Sequence, residues 1–189
     1  LHRIKPAMVK PVWWSNSKQL LDFFVETEAW ELALIVAVRL ADEGQGPTPE
    51  QFATIHFQIA SQKLDTNRQG EALQHLQATV KYLQLVPFEK RDMTMYLQVL
   101  ELLASEYNSQ GQNALALEAY QEILKCSPIE KHASLFCRMA HIHLVSQQLD
   151  LALEQLEAAA SSLDFAEPSI RLELLQTKGD VYCRLGRME

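Results

Sequence analysis

The chain holds 189 residues, 48% of them hydrophobic, with only 6 Gly and 7 Pro. That is enough apolar material for a packed core, and too little turn chemistry for a β-sandwich or barrel, which turns every roughly 8–12 residues. The net charge of −7, from 17 Lys and Arg against 24 Asp and Glu, argues against a general electrostatic hold on nucleic acid or anionic lipid.

Residues 1–16 are basic and irregular. They carry Arg3, Lys5 and Lys10 with no acid, and Pro6, Pro11, Trp13 and Trp14. They read as an N-terminal extension whose tryptophans cover the end of the first hairpin, or as a linker with a peptide-like recognition role. No uninterrupted apolar stretch there matches a signal peptide. The longest strongly apolar run, Leu32–Val38, stops at Arg39, far short of the roughly 18–20 residues of a bilayer span. The first residue is Leu1 rather than Met, so the chain reads as a piece of a longer one.

From Ser17 onward, apolar residues at steps of three and four predict helices over 17–26, 28–43, 49–65, 68–85, 89–109, 112–126, 131–145, 148–162 and 168–185. Gly44-Gln45-Gly46-Pro47 is the clearest loop. Thr48-Pro49-Glu50-Gln51 reads as a capping box: Thr48 caps, Pro49 opens the helix and Gln51 reaches back. The run Glu89-Lys90-Arg91-Asp92 is charge-balanced and reads as a cap region.

The helices pair. Leu103-Ala104, Tyr107 and Gly111 are followed by Ala116, Tyr120, Ile123 and Pro128. A small residue, an aromatic and a turn glycine end one helix; a small residue and an aromatic stripe the next; a proline closes the unit. Weaker copies flank it. Ala60 precedes Ala72 and Leu76; Ala140 precedes Ala152, Leu156 and Ala159; Ala33 and Ala37 follow Leu20, Leu21 and Phe24. At the far end Gly179, Tyr182 and Gly186 repeat the small, aromatic and turn positions.

This pattern resembles the tetratricopeptide repeat (TPR) family, a helix–turn–helix unit of about 34 residues. The resemblance is specific over about 97–130, with Leu100 replacing the family's first aromatic, and looser elsewhere. It covers roughly 17–189. Ala33 to Ala72 is 39 residues, Ala72 to Ala116 is 44 and Ala116 to Ala152 is 36, each longer than the family's unit. The fold it implies is all-α, a right-handed α-solenoid of antiparallel helix hairpins. There would be about four repeats (17–46, 48–86, 89–128, 131–164) and a partial fifth (167–189). The 89–109 helix would be about two turns longer than the family's first helix. Ala104, Ala116, Ala140, Ala152 and Gly179 would sit where helices approach closely. The last helix would lack its partner and leave an apolar face open.

What the resemblance implies for function is a concave face lined by the first helices. By alignment its residues are Phe57 and Ser61; Glu101, Ser105 and Asn108; and Cys137, Arg138 and His141. The family subtype that grips chaperone C-termini places Lys and Asn at fixed positions; Phe57, Glu101 and Cys137 stand where that Lys would be, and Ser61, Ser105 and His141 where the Asn would be. Only Arg138 keeps the basic character.

The chemical constellations are sparse. Gly44-Gln45-Gly46 lacks the GK[ST] and the preceding strand of a phosphate loop. No GxSxG is present, and the serines fall at helix ends and loops. Cys137 and His141 share a helix face, with Cys126, His132 and His143 nearby, but no four-ligand spacing emerges, so the plain reading is a polar groove with a packed Cys. Glu26/Glu28, Asp42/Glu43 and Glu154/Glu157 read as solvated surface. Three widely spaced cysteines, Cys126, Cys137 and Cys183, suit reduced thiols in cytoplasm or nucleus. Residues 1–20 carry +4, 21–60 carry −6 and 141–189 carry −4.

The chain therefore reads as a non-catalytic interaction scaffold, not an enzyme. It would have no metal or cofactor and would hold a peptide or helix of another protein within a multiprotein complex. The alternatives are a structural spacer or dimerisation element whose groove is filled by its own extension, and a regulatory domain of a larger enzyme.

Overall fold

The computed structural model describes residues 17–163 and 168–186. The expected tryptophan cover over 1–16, and the junction at 164–167, lie outside the described residues. Within them the protein is all-α: α1 (Ser17–Glu26), α2 (Trp30–Asp42), α3 (Pro49–Asp65), α4 (Gln69–Leu85), α5 (Met93–Ser109), α6 (Asn113–Cys126), α7 (His132–Val145), α8 (Leu149–Ser161) and α9 (Pro168–Leu185). No helix among the described residues is long and apolar enough to cross a membrane. The chain divides into two compact units, Leu1–Arg91 and Asp92–Glu189.

Each intact hairpin turns the same way. Glu28, Asn67, Gly111 and Gln147 all adopt a left-handed backbone, with φ of 56°, 58°, 70° and 60°. The residue after each donates its N–H five positions back: Ala29 to Phe24, Arg68 to Lys63, Gln112 to Tyr107 and Gln148 to His143, at 2.8–2.9 Å. This is the six-to-one bond that satisfies a helix's terminal carbonyls. The turn residues recur at 39, 44 and 36 positions, the same intervals as Ala33, Ala72, Ala116 and Ala152. All four of those alanines are fully buried, and each N–H bonds the carbonyl of its helix's N-cap. The hairpins are thus repeats in backbone as well as in pattern.

The connections between hairpins differ. After α2, Gly44 (φ 74°) ends the helix, and Gly46 follows. A Cβ on Gly46 would lie 2.6 Å from the Cα of Ala41, so close approach excludes any side chain there. The capping box then forms: the Gln51 N–H donates to Thr48 Oγ1 at 3.4 Å and the Thr48 N–H to Gln51 Oε1 at 3.0 Å.

The expected 89–109 helix is corrected. Phe88–Lys90 is a separate 3₁₀ turn after Pro87, and α5 starts at Met93 because Asp92 caps it, its Oδ1 accepting from the Met95 N–H at 3.0 Å. The helix is 17 residues long, the length of α3. The link before α7 has the same design, with Pro128 followed by a 3₁₀ turn at Ile129–Lys131. Pro-Phe-Glu-Lys at 87–90 and Pro-Ile-Glu-Lys at 128–131 are its sequence signal.

In the N-terminal unit, Leu21, Ala33, Val36, Leu40, Phe52 and Ile59 are core residues, with Trp30 and Tyr82 packed against them. Phe52 near the start of α3 stacks on Tyr82 near the end of α4, and Lys63 near the end of α3 pairs with Glu71 near the start of α4 at 3.5 Å. These contacts fix the hairpin as antiparallel. Lys63, buried but for 8% of its surface, also pairs with Glu31 of α2, which ties the first hairpin to the second.

In the C-terminal unit, Tyr96, Val99, Leu103, Ala104 and Tyr107 of α5 are buried, as are Ala116, Tyr120 and Ile123 of α6. Cys137, Ala140 and Leu144 of α7 pack with Ala152 and Leu156 of α8 and Leu174 and Val181 of α9. Arg184, near the end of α9, donates to the Leu144 carbonyl at the end of α7 (3.3 Å), so these two first helices run parallel.

The last unit corrects one expectation. Gly179 is exposed, with no atom within 4 Å of where its Cβ would stand. The buried stripe of α9 is Leu174, Thr177 and Val181 instead. Leu172 and Leu175, 58% and 65% exposed, lie on the same open side as Gly179. The close approach expected at Gly179 needs a second helix, and no described residue supplies one there. Tyr182 is half-buried, with the Lys178 ammonium 5.7 Å from its ring centroid.

Candidate functional site

A cleft of about 390 Å³ opens in the C-terminal unit. Three first helices build it. Ser105 and Asn108 come from α5, Arg138 and His141 from α7, and Glu173 from α9; the buried Tyr120 of α6 borders it. Each pair stands one helical turn apart, so both members point the same way.

Four of the aligned groove residues, Ser105, Asn108, Arg138 and His141, are therefore brought together, all exposed. Four are not among them. Glu101 pairs with Lys131, at 3.6 Å, and does not line the cleft. Phe57 and Ser61 lie half-buried on α3 in the N-terminal unit, and the Ser61 hydroxyl donates to the Phe57 carbonyl at 3.1 Å.

Cys137 is a correction. Its side chain is fully buried between α7, α8 and α9. Ala133, Cys137, Ala140 and Leu144 form the buried stripe of α7, and alignment to the half-buried Glu101 of α5 carried Cys137 to the wrong side of its helix. Burial, and then the charge of Glu173, push its thiol up to about 11, so the thiolate needed for nucleophilic chemistry or metal binding is suppressed.

Arg138 carries the chemistry of the cleft. Its guanidinium is exposed and, among the described residues, enters no ion pair or hydrogen bond. Asn108, Ser105 and His141 line the cleft with it, as does one carboxylate, Glu173. An unengaged guanidinium offers five N–H donors in a fork that fits a carboxylate. No Ser–His hydrogen bond forms here.

Glu173 was missed by the alignment. The groove alignment carried no position onto α9, so nothing in the repeat pattern pointed to it.

Two of the histidines weighed beside Cys137 and His141 make local hydrogen bonds. His132 donates to the Ser127 carbonyl at 3.2 Å, and His143, buried, donates to Gln148 Oε1 at 2.8 Å across the hairpin turn. Among the described residues no group of three or more His, Cys, Asp or Glu is placed to hold a metal ion.

A second titratable cluster lies in the N-terminal unit. His56 of α3 and His75 of α4 place their Nδ1 atoms 2.9 Å apart, one donating and the other accepting. His56 also stacks on Tyr82, with ring centroids 5.5 Å apart. Burial, then the neighbouring His75, hold the His56 pKa down at about 4; burial and Lys63 lower that of His75. Neither ring was singled out in the sequence, because 19 residues separate them and only the hairpin brings them together.

Comparison with known proteins adds little. No protein-family model matches the chain, and no curated protein matches it. Among solved structures it is similar to the MamA protein, with 12% identity over 89% of each chain and a TM-score of 0.46. What the protein does must be argued from its own residues.

Proposed function

We propose that the protein is a non-catalytic interaction module whose C-terminal unit holds a carboxylate-bearing segment of a partner protein. The observation that carries this reading is Arg138, an exposed guanidinium with no partner among the described residues, in a cleft edged by Ser105, Asn108 and His141. A partner carboxylate would take the guanidinium fork, while the neutral donors would hold its backbone. Interface energy concentrates in a few anchors, Arg prominent among them. Three widely spaced cysteines, Cys126, Cys137 and Cys183, suit a reducing compartment such as cytoplasm or nucleus.

The test is capture of partners from a cell extract by immobilised wild type and by Arg138→Glu, with far-UV circular dichroism as the check on folding. A partner held by wild type should be lost by about tenfold or more, a change of ~1.4 kcal/mol. Equal capture by both proteins counts against the cleft. The weight then moves to a second reading, a structural spacer or dimerisation element. The open strip of Leu172, Leu175 and Gly179 on α9 favours that one.

A further inference from the structure

The cleft of the C-terminal unit holds a second unpaired charge. Glu173 of α9 lines it together with Arg138 of α7. No ion pair or hydrogen bond joins the two, and among the described residues the Glu173 carboxylate has no partner of its own. Only its backbone carbonyl is engaged, accepting from the Thr177 hydroxyl at 2.9 Å. The three cations of α9 are held elsewhere. Arg171 donates to the Leu163 carbonyl at 3.3 Å, Lys178 lies 5.7 Å from the Tyr182 ring centroid, and Arg184 donates to the Leu144 carbonyl at 3.3 Å. Lys131, just before α7, pairs with Glu101. Asp180, two turns beyond Glu173 on the same side of α9, is a further carboxylate rather than a counter-charge.

Two opposite charges that share a cleft without meeting are complementary to a ligand that carries both. A carboxylate alone gains the Arg138 fork and meets repulsion from Glu173. A cation alone has the reverse balance. A segment with an acid and a base on one side turns the repulsion into attraction. The spacing follows from the fold. Arg138 and Glu173 stand on helices packed side by side, α7 and α9, and such axes lie about 8–10 Å apart. In an extended chain, side chains two residues apart point the same way with Cα atoms roughly 7 Å apart, while adjacent ones point to opposite sides. An acid and a base separated by one residue therefore reach both charges.

Given the carboxylate reading of the cleft, on which this rests, we propose that the partner segment is of mixed charge: an Asp or Glu for Arg138 and, two residues away, a Lys or Arg for Glu173. Glu173 is then the residue that sets specificity. It favours an acid–base sequence and disfavours a purely acidic tail, which the chain's net charge of −7 opposes as well. Because both groups are exposed, the selectivity is modest, about two- to fivefold.

Short Gly/Ser peptides with blocked ends test this against the full chain. One carries Glu and Lys two residues apart, made in both orders; one has the Lys replaced by Gln; one has the Glu replaced by Gln; one has both replaced. Binding is read by NMR at low salt from the Asn108 side-chain amide and the Arg138 guanidinium N–H. The better paired peptide should bind about two- to fivefold tighter than the Glu-only peptide. Glu173→Gln, which keeps the side chain's shape, should remove that advantage and leave the Glu-only peptide bound at least as tightly. Arg138→Gln should weaken every peptide that contains Glu. Equal binding of paired and Glu-only peptides by wild type overturns the proposal, and so does an advantage that persists in Glu173→Gln. In both cases the carboxylate reading stands if Glu-only binding is lost in Arg138→Gln. Binding of none of the peptides, or Glu-only binding that survives Arg138→Gln, overturns the carboxylate reading and this proposal with it.

Discussion

The α3/α4 and α5/α6 hairpins share one turn and differ in what they enclose. Both turn through a left-handed residue, Asn67 or Gly111, and both bury the alanine that opens the next helix, Ala72 or Ala116. Between α5 and α6 the interior is apolar, with Tyr96, Val99 and Ile123 fully enclosed; the Tyr96 hydroxyl donates to Glu122 Oε1 at 3.4 Å. Between α3 and α4 a polar spine runs beside the apolar one. It comprises the His56–His75 pair, the buried Thr79 donating to the His75 carbonyl at 2.8 Å, and Lys63 between Glu31 and Glu71. The turn and the small residues set the repeat; the interior between them is free to vary. A hairpin held by area responds to lost volume, and one held partly by imidazoles responds to protons.

The apolar side of the comparison gives the largest expected effect. Tyr96→Ala should cost about 3–5 kcal/mol, by analogy with other large buried aromatics. Guanidinium unfolding followed by peptide-resolved hydrogen exchange should show the loss in α5 and α6. A cost below ~1 kcal/mol would mean that Tyr96 is no anchor and that the contrast with α3/α4 is overstated.

The shared turn gives the next. Gly111 meets nothing within 4 Å of a Cβ, so Gly111→Ala pays only for a left-handed alanine, about 1–2 kcal/mol. Gln147 holds the same conformation with a side chain, so Gln147→Gly should stabilise the α7/α8 hairpin by up to ~1 kcal/mol. Melting temperatures of the two variants should move in opposite directions. Movement in the same direction would break the equivalence of the turns.

Much of this is legible in the sequence. The nine helices among the described residues fall within a few residues of their apolar periods, since 3.6-residue repetition of large side chains marks the buried stripe directly. Where Gly111, Ala104 and Tyr107 coincide, the hairpin announces itself. The first and fourth turns do not, because Glu28 and Gln147 adopt a conformation their residue types do not advertise. The start of α5 was misread because charge balance at 89–92 hid two separate devices, a proline-led 3₁₀ turn and an aspartate cap. At the cleft, the alignment reached Ser105, Asn108, Arg138 and His141 but misplaced Cys137, whose neighbours on α8 and α9 decide its burial. Nothing in composition marks the division after Arg91.

The smallest expected effect belongs to the imidazole pair, since both rings are part-exposed and solvent screens them. His56 in the folded hairpin takes up its proton only near pH 4, against 6.5 when unfolded. Below pH 6.5 the unfolded chain therefore binds more protons, and stability falls with pH until about 4, where the folded hairpin also protonates. Facing the pair are Tyr82 of α4, Lys63 of α3, and the carboxylates of Glu31 on α2 and Glu71 on α4. Lys63 opposes a second positive charge, and the two carboxylates favour it at His75. Two protonated rings cannot keep Nδ1 atoms 2.9 Å apart, since neither then accepts. Amide exchange in α3 and α4 should quicken between pH 6.5 and 4.5 relative to the same protein at pH 7.5, after correction for intrinsic rates. His56→Phe, which keeps the stack on Tyr82 and removes the titrating group, should flatten that slope. An unchanged slope in His56→Phe would assign the acid response to the carboxylates around Lys63 and remove the pair from the comparison.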